Sequence, residues 1–421
     1  MKNTEQIVGI IAEYHPFHNG HLYQMRNARA LTGAAYCVVL LSGSFVQRGT
    51  SAVWSTAVRA EAALRCGADA VFGIPSPFSS ASARDYALYG VSLLSGLGIP
   101  FLSCGAESAD AEELTSLLRC VDENSESFRE TLREGLKSGM SYPEARLNAV
   151  QADLTAAGAD PFLLSRTREI LSEPNNILAY EYAHAIRALQ SGTRLVTVKR
   201  TGAGYHDPVI RGSFASASAI RSHILSGGDP GDLESVIPGE ALRLISSEPA
   251  LPPDALCGPV LRRIENLLYE GADLSVYEDV SQDLAERIRS TSRRASSFDE
   301  LVRQLKTRQY TYTRIARALI HLFLGVRKSS MADWKSERPA PYAYLLGFRR
   351  ESSDLLGILK ERTAIPIISR PAAYRSCFSP GSAPARLFEA EIHAQNLWNS
   401  LCLENSGREY PDLLRQQMIV V

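Results

Sequence analysis

The chain has 421 residues, enough for two or three domains with a sizeable core. Hydrophobic residues at 45% and charged residues at 22% are ordinary globular composition, which argues against disorder; no apolar run approaches the roughly eighteen residues of a membrane span. The formal net charge of −1, from 45 basic and 46 acidic residues, gives at face value no sign of a polyanionic partner.

The first apolar run, 7–13, reads as a short strand, and nothing around it looks like a secretory signal. Helical periodicity follows over 22–33, ended by Gly33. Then come a strand over 36–43, a helix over 55–67 capped by Ser55, a strand over 69–75, a helix over 84–98 and a strand over 100–105. Fully apolar strands alternating with helices predict a parallel sheet covered on both faces, with right-handed crossovers. From about 110 to 190 the pattern is helical; 194–200 is one more strand, and 215–228 is a capped helix stopped by Gly227-Gly228. The Pro-rich stretch 248–259 predicts a boundary. That gives an α/β domain over 1–247, with a helical insertion at about 110–190, and a mainly helical second domain over 248–421. Within the second, only 342–348 looks strand-like. The seven cysteines are odd in number and form no CxxC pair, so they fit neither a zinc site nor a disulfide framework; buried thiols in a reducing cytoplasm are expected.

Three of the eight histidines fall within HPFHNGH, residues 15–21, directly after the first strand. Ligands of open α/β sheets bind at the carboxyl ends of strands, and helix N-termini offer free N–H groups to phosphate. Two imidazoles there, His18 and His21, can donate to a phosphoryl oxygen as charge develops. Gly20 between them would let the backbone approach an anion. Zinc would want a third ligand, and no partner motif is present. Pro16 and Phe17 read as turn and packing residues. KRTGAGYHD (199–207) puts Lys199 and Arg200 at the end of a late strand, facing the same crevice. ASASAIR (215–221) is a Ser-rich helix start in which Ser216 or Ser218, with Arg221, suits a polyphosphate tail.

The net charge hides an asymmetry. Between Arg287 and Arg350 fifteen Lys/Arg stand against four acidic residues, a net of +11, so the remainder is about −12. In the helical pattern 311–324, Arg314 and Arg317 are neighbours on one face, with Lys306 and Arg308 before them and Tyr310 and Tyr312 interleaved. Such basic groups neutralise nucleic-acid phosphates, and tyrosines stack on unpaired bases.

HxGH after the first strand, with a late Ser-Arg helix start, resembles the nucleotidylyltransferase superfamily. GIIAEYHPFHNGH, LSGSFVQRG (41–49), PNNILAYEY (174–182), KRTGAGYHD, ASASAIR and LKTRQYTYTRIARALIHLFL (305–324) together resemble the bacterial tRNA(Met) cytidine acetate ligase family, in order and over almost the whole chain. His15 and Thr50-Ser51 depart from the family pattern. The resemblance implies a Rossmann-like parallel sheet with a mainly helical, tRNA-binding C-terminal region. It implies a cytoplasmic enzyme without membrane attachment or a stable protein partner. Its reaction would use ATP, with Mg²⁺, to activate acetate as acetyl-adenylate and acetylate N4 of the wobble cytidine of elongator tRNA(Met). His18, His21, Lys199 and Arg200 would be catalytic. The ATP site would comprise Val8, Gly9, Ile10, Ile11, Ala12, Glu13, Tyr14, His15, Pro16, Phe17, His18, Asn19, Gly20 and His21, with Gly105, Asn175, Arg200, Ser218 and Arg221. Lys306, Arg308, Tyr310, Tyr312, Arg314 and Arg317 would hold RNA. The alternative is a small-molecule nucleotidylyltransferase transferring AMP to a cofactor precursor; that class has no use for a large basic C-terminal half.

Overall fold

A computed structural model describes residues 7–200, 212–291, 294–336 and 338–421. The 201–207 part of the KRTGAGYHD block lies outside the described residues. The strands are β1 (Ile7–Ala12), β2 (Tyr36–Ser42), β3 (Phe45–Val46), β4 (Thr50–Ser51), β5 (Ala70–Ile74), β6 (Phe101–Ala106), β7 (Arg194–Lys199), β8 (Ala343–Phe348), β9 (Ile367–Ile368) and β10 (Ile419–Val420). One large sheet runs in the order β10-β8-β5-β2-β1-β6-β7, with β9 beside β8; β3 and β4 form a separate small hairpin.

From β5 through β7 every pairing is parallel. The chain winds outward from β1 through β2 to β5, then returns to the other side of β1 to lay down β6 and β7. The reversal opens a crevice at the carboxyl ends of β1 and β6, where open α/β sheets bind ligands. β1 is buried on both faces, which explains its apolar run. The helix Ala83–Gly96 lies close against it. A Cβ on Gly9 would sit 2.4 Å from Leu94 Cδ2, and one on Gly90 would sit 2.4 Å from Ile11 Cδ1. Gly9 thus serves helix–strand packing, and Val8 and Ile10 are core side chains.

The second half is mainly helical, as expected, and its short strands join the first sheet. The run 342–348 forms β8, which pairs antiparallel with β5 and extends the first sheet, while β9 and β10 pair parallel to β8. The Pro-rich stretch is also packed in place. Leu251 N–H donates to the Val53 carbonyl at 2.9 Å, and Ser55 N–H donates to Glu248 at 2.7 Å. The long helix Ala383–Ser406 returns to the same region. Trp398 Nε1 donates to the Ala52 carbonyl at 2.8 Å, and Ser44 Oγ donates to Gln395 at 2.7 Å. The two halves therefore share one sheet and clasp the segment 43–55 between them. Sequence pattern alone could not reveal this, because an apolar run of six residues looks the same whether its neighbour is near or far along the chain.

The β3–β4 hairpin carries the QRG turn and rests on the helix Tyr312–Leu324. Gly49 has φ +79°, and a Cβ there would lie 2.4 Å from Arg317 N and 2.5 Å from Ala316 C. Both obstacles are backbone, so they cannot swing away as a side chain would. Gly49→Ala is expected to lower stability by about 2 kcal/mol or more, read as a lower denaturant midpoint at unchanged slope.

Candidate active site

The helix after β1 spans Asn19–Thr32 and begins three residues before the sequence pattern suggests, because His18 is its cap. Gly20 N–H donates to His18 Nδ1 at 3.0 Å, and His18 N–H donates to His21 Nδ1 at 3.3 Å. This is a capping box built from two histidines instead of Ser and Glu. Its chemical consequence is a fixed tautomer. Each Nδ1 accepts, so each Nε2 carries the proton and is left as a donor. The rings stack at 3.8 Å between centroids, and both line the cleft. Burial, then the charges of Arg200 and Arg221, push His18 down to about 3. Burial, His18 and Arg200 push His21 well below the usual histidine range. At neutral pH the pair is two uncharged N–H donors.

Gly20 serves the cap more directly than any anion. A Cβ there would sit 2.8 Å from His18 Cε1 and 3.0 Å from Nδ1, so glycine lets the imidazole fold over its own helix start. Phe17 is 1% exposed and packs edge-on to Tyr14, whose ring also touches His21. Asn19 turns away from the cleft. Its Nδ2 donates to the carbonyls of Ser213 and Ser235, at 3.0 and 2.9 Å, and so holds the segment bearing Ser216 and Arg221 against the HPFHNGH turn. His15 is buried and accepts the Val53 N–H at Nε2 (2.7 Å), which makes it a tether for the segment below the cleft.

The cleft has a volume of roughly 1110 Å³ including its open mouth. Of the expected ATP residues, Ile11 to His15, His18, His21, Gly105, Asn175, Arg200, Ser218 and Arg221 line it. Val8, Gly9, Ile10, Pro16, Phe17, Asn19 and Gly20 stand behind the wall, and Lys199 is an exposed residue at the end of β7, outside the lining. Arg200 N–H donates to the Ala106 carbonyl at 2.9 Å, which fixes its backbone beside Gly105. Arg221 Nη1 donates to the His15 carbonyl at 2.6 Å, and burial, then Arg48, lowers it to about 10. Ser216 caps the helix Ala217–Leu225, so that helix turns its N-terminus to the cleft.

The two asparagines of PNN divide their labour. Asn176 is fully buried; its Oδ1 accepts the Glu107 N–H at 2.9 Å, and its N–H donates to Glu107 Oε2 at 2.9 Å. It locks the helix Pro174–Ala188 to the loop after β6. Asn175 faces the cleft and donates through Nδ2 to Glu107.

Sequence reasoning singled out neither Arg48 nor Arg59. Arg48 lines the cleft from the hairpin turn; the QRG triplet was the available signal. Arg59 is 1% exposed and hidden in an ordinary amphipathic helix pattern. It donates to the carbonyls of Glu13 (2.9 Å), Ser42 (2.9 Å), Gly43 (2.7 Å) and Trp54 (3.2 Å), and to Thr56 Oγ1 (3.1 Å). One guanidinium thus ties the ends of β1 and β2 together under the cleft floor.

Two of the residues assigned to RNA have structural partners instead. Tyr310 is 4% exposed, with its hydroxyl 2.5 Å from Ser281 Oγ, so it cannot stack on a base. Arg317 is paired with Asp279 at 3.0 Å. Arg314 lies over the Tyr310 ring at 5.0 Å and is half-exposed, and Tyr312 is half-buried; Lys306 and Arg308 are exposed. The +11 block is partly matched by acids outside it, since Lys335 pairs with Asp85 and Arg349 with Asp69. Among the described residues no group of three or more His, Cys, Asp or Glu could hold a metal ion.

A family model described as HIGH Nucleotidyl Transferase matches residues 5–411. The tRNA(Met) cytidine acetate ligase of Thermoanaerobacter sp. (strain X514) is 33% identical over 407 residues, 95% of this chain and 96% of its own. The chain belongs to the tRNA(Met) cytidine acetate ligase family. The ligase of Clostridium kluyveri is 35% identical over 371 residues, covering 87% of this chain and 90% of its own. A crystal structure of apo Thermotoga maritima TmcAL superposes with a TM-score of 0.89 at 26% identity over 99% of both chains. A second, of the same protein bound with alpha-thio ATP, shares the fold at 0.87 and 24% identity, again over 99% of both. The chain thus shares its fold, a mostly parallel sheet with many helices, with that protein.

Proposed function

We infer that this chain is an ATP-dependent ligase that makes acetyl-adenylate from acetate and acetylates N4 of the wobble cytidine of elongator tRNA(Met), in the cytoplasm. The observation that carries the nucleotide chemistry is the pair of neutral imidazoles, His18 and His21. Their rings, each with its Nε2–H left to donate, line one cleft with Arg200, Arg221 and the N-terminus of the helix Ala217–Leu225. Membership of the ligase family supports acetate and tRNA(Met) as the substrates.

In the first step an acetate oxygen attacks the α-phosphorus of ATP and pyrophosphate leaves. Negative charge grows on the non-bridging oxygens, and preorganised N–H donors in an enclosed site stabilise it without reorienting. Neutral donors suit the task. They do not ion-pair tightly with ground-state ATP, so more of their effect is kept for the transition state. Arg221, Ser218 and the helix N-terminus hold the departing pyrophosphate. Among the described residues no carboxylate cluster would hold a cation by itself, so Mg²⁺ would come bound to ATP and would supply charge neutralisation of the polyphosphate beside Ser218 and Arg221. No protein nucleophile is needed, so the enzyme works by position and electrostatics.

Acetate-dependent exchange of pyrophosphate into ATP, run against a panel of carboxylates, tests the activation step. Exchange that responds to acetate supports the reading; exchange driven by no carboxylate refutes it. For the RNA surface, Lys306→Ala with Arg308→Ala is expected to weaken tRNA binding about equally for all tRNAs. It should also reduce the slope of log affinity against log salt by about two. A filter-binding titration at several salt concentrations measures both, and an unchanged slope places the RNA surface elsewhere.

A further inference from the structure

Acetylating an exocyclic amine releases a proton, and the groups around the cleft that could take it are few. The imidazole acceptors are already used. His18 Nδ1, His21 Nδ1 and His15 Nε2 each receive a backbone N–H, and the other nitrogen of each ring carries the proton. Burial keeps the Cys104 thiol and the Tyr86 and Tyr182 hydroxyls protonated. Arginines and amides donate. Among the residues lining the cleft, one carboxylate remains, Glu13. It stands directly after β1, at the floor of the crevice. Its Oε1 accepts the Gln47 N–H at 2.9 Å, which aims the carboxylate, and no described group donates to Oε2.

We propose that Glu13 is the base of the acetyl-transfer step, receiving the proton from the attacking cytidine N4 at Oε2. This rests on the ligase reading above. The N4 lone pair forms a bond to the acetyl carbonyl carbon, and the nitrogen becomes ammonium-like in the addition intermediate. Glu13 takes one of its protons. The carbonyl re-forms, the bond between the acyl carbon and the phosphate oxygen breaks, and AMP leaves with the electron pair. The products are N4-acetylcytidine, AMP and one proton, which passes from Glu13 to solvent. A carboxylate is basic enough because the nitrogen it deprotonates is an ammonium, not a neutral amine. The charged and titratable groups that face Glu13 come from five elements: Arg48 on the hairpin, Arg59, Tyr86, Tyr182 and Arg221 on four helices.

Glu13→Gln keeps an oxygen for the Gln47 N–H and removes the basicity together with the charge. Three readouts on the full-length protein separate the roles: acetate-dependent ATP–pyrophosphate exchange, single-turnover transfer to unmodified elongator tRNA(Met), and trapping of the acetyl-adenylate by hydroxylamine, which needs no base. Glu13→Gln is expected to slow transfer by about 100-fold or more, at least tenfold beyond whatever it takes from exchange and from hydroxylamine trapping. Glu13→Asp should recover part of the transfer rate. Equal losses in exchange and transfer would overturn the proposal and make Glu13 a ligand of the nucleotide or its cation. Undiminished transfer would overturn it as well. If wild type itself shows no acetate-dependent exchange, the ligase reading falls first and takes the proposal with it.

Discussion

His21→Ala should cut acetate-dependent pyrophosphate exchange by roughly 100- to 1,000-fold, the usual loss when one preorganised donor to a developing anion is removed. The loss should lie mainly in the maximal rate, because a neutral N–H adds little to ground-state binding of ATP. Affinity for tRNA should hardly change. The variant also frees the His18 N–H that His21 Nδ1 accepts, so His21→Gln, whose amide can replace one hydrogen bond, should lose less than His21→Ala. The pH dependence carries its own sign. His18 is pushed down to about 3 and His21 in the same direction, so both stay deprotonated from acid through neutral pH. Exchange should therefore show no inflection near pH 6.5. A fall in rate as pH rises through 6.5 would mean that an imidazolium is the working form, and would contradict the tautomers assigned from the cap.

Arg59→Met should destabilise the protein by roughly 3–5 kcal/mol, since it strips several buried carbonyls of their partner at once. Arg59→Lys should recover only part, because an ammonium cannot fork to four carbonyls on three segments as the planar guanidinium does. Both would be read from denaturant midpoints. A change of less than about 1 kcal/mol for Arg59→Met would show that water can replace the guanidinium under the cleft.

Much of the site was legible because its signals are local. β1 followed by HPFHNGH, the apolar run of β6 ending at Gly105, and the Ser-capped helix carrying Arg221 all sit where their local patterns put them, and the strand-end rule brings them together. What was not legible depends on partners far along the chain. Tyr310 looks like a stacking residue until Ser281 is placed beside it, and Arg317 looks free until Asp279 is. β8 reads as an isolated strand until β5 is known to have an open edge. The charge asymmetry was real in sequence but smaller in space, because acids such as Asp85 and Asp69 fold back onto the basic segment. Glycines were the least transparent. Gly9 and Gly20 lie in the nucleotide-binding stretch, yet the atoms they make room for belong to Leu94 and to the His18 ring.

The central claim is tested most directly by incubating the protein with ATP, isotopically labelled acetate and unmodified elongator tRNA(Met), then digesting the RNA and analysing its nucleosides by mass spectrometry. The account predicts labelled N4-acetylcytidine at the wobble position, one AMP released per acetyl group transferred, and no label in a tRNA whose wobble cytidine is replaced by uridine. Label absent from the wobble cytidine, with AMP transferred instead to a small acceptor, would contradict it.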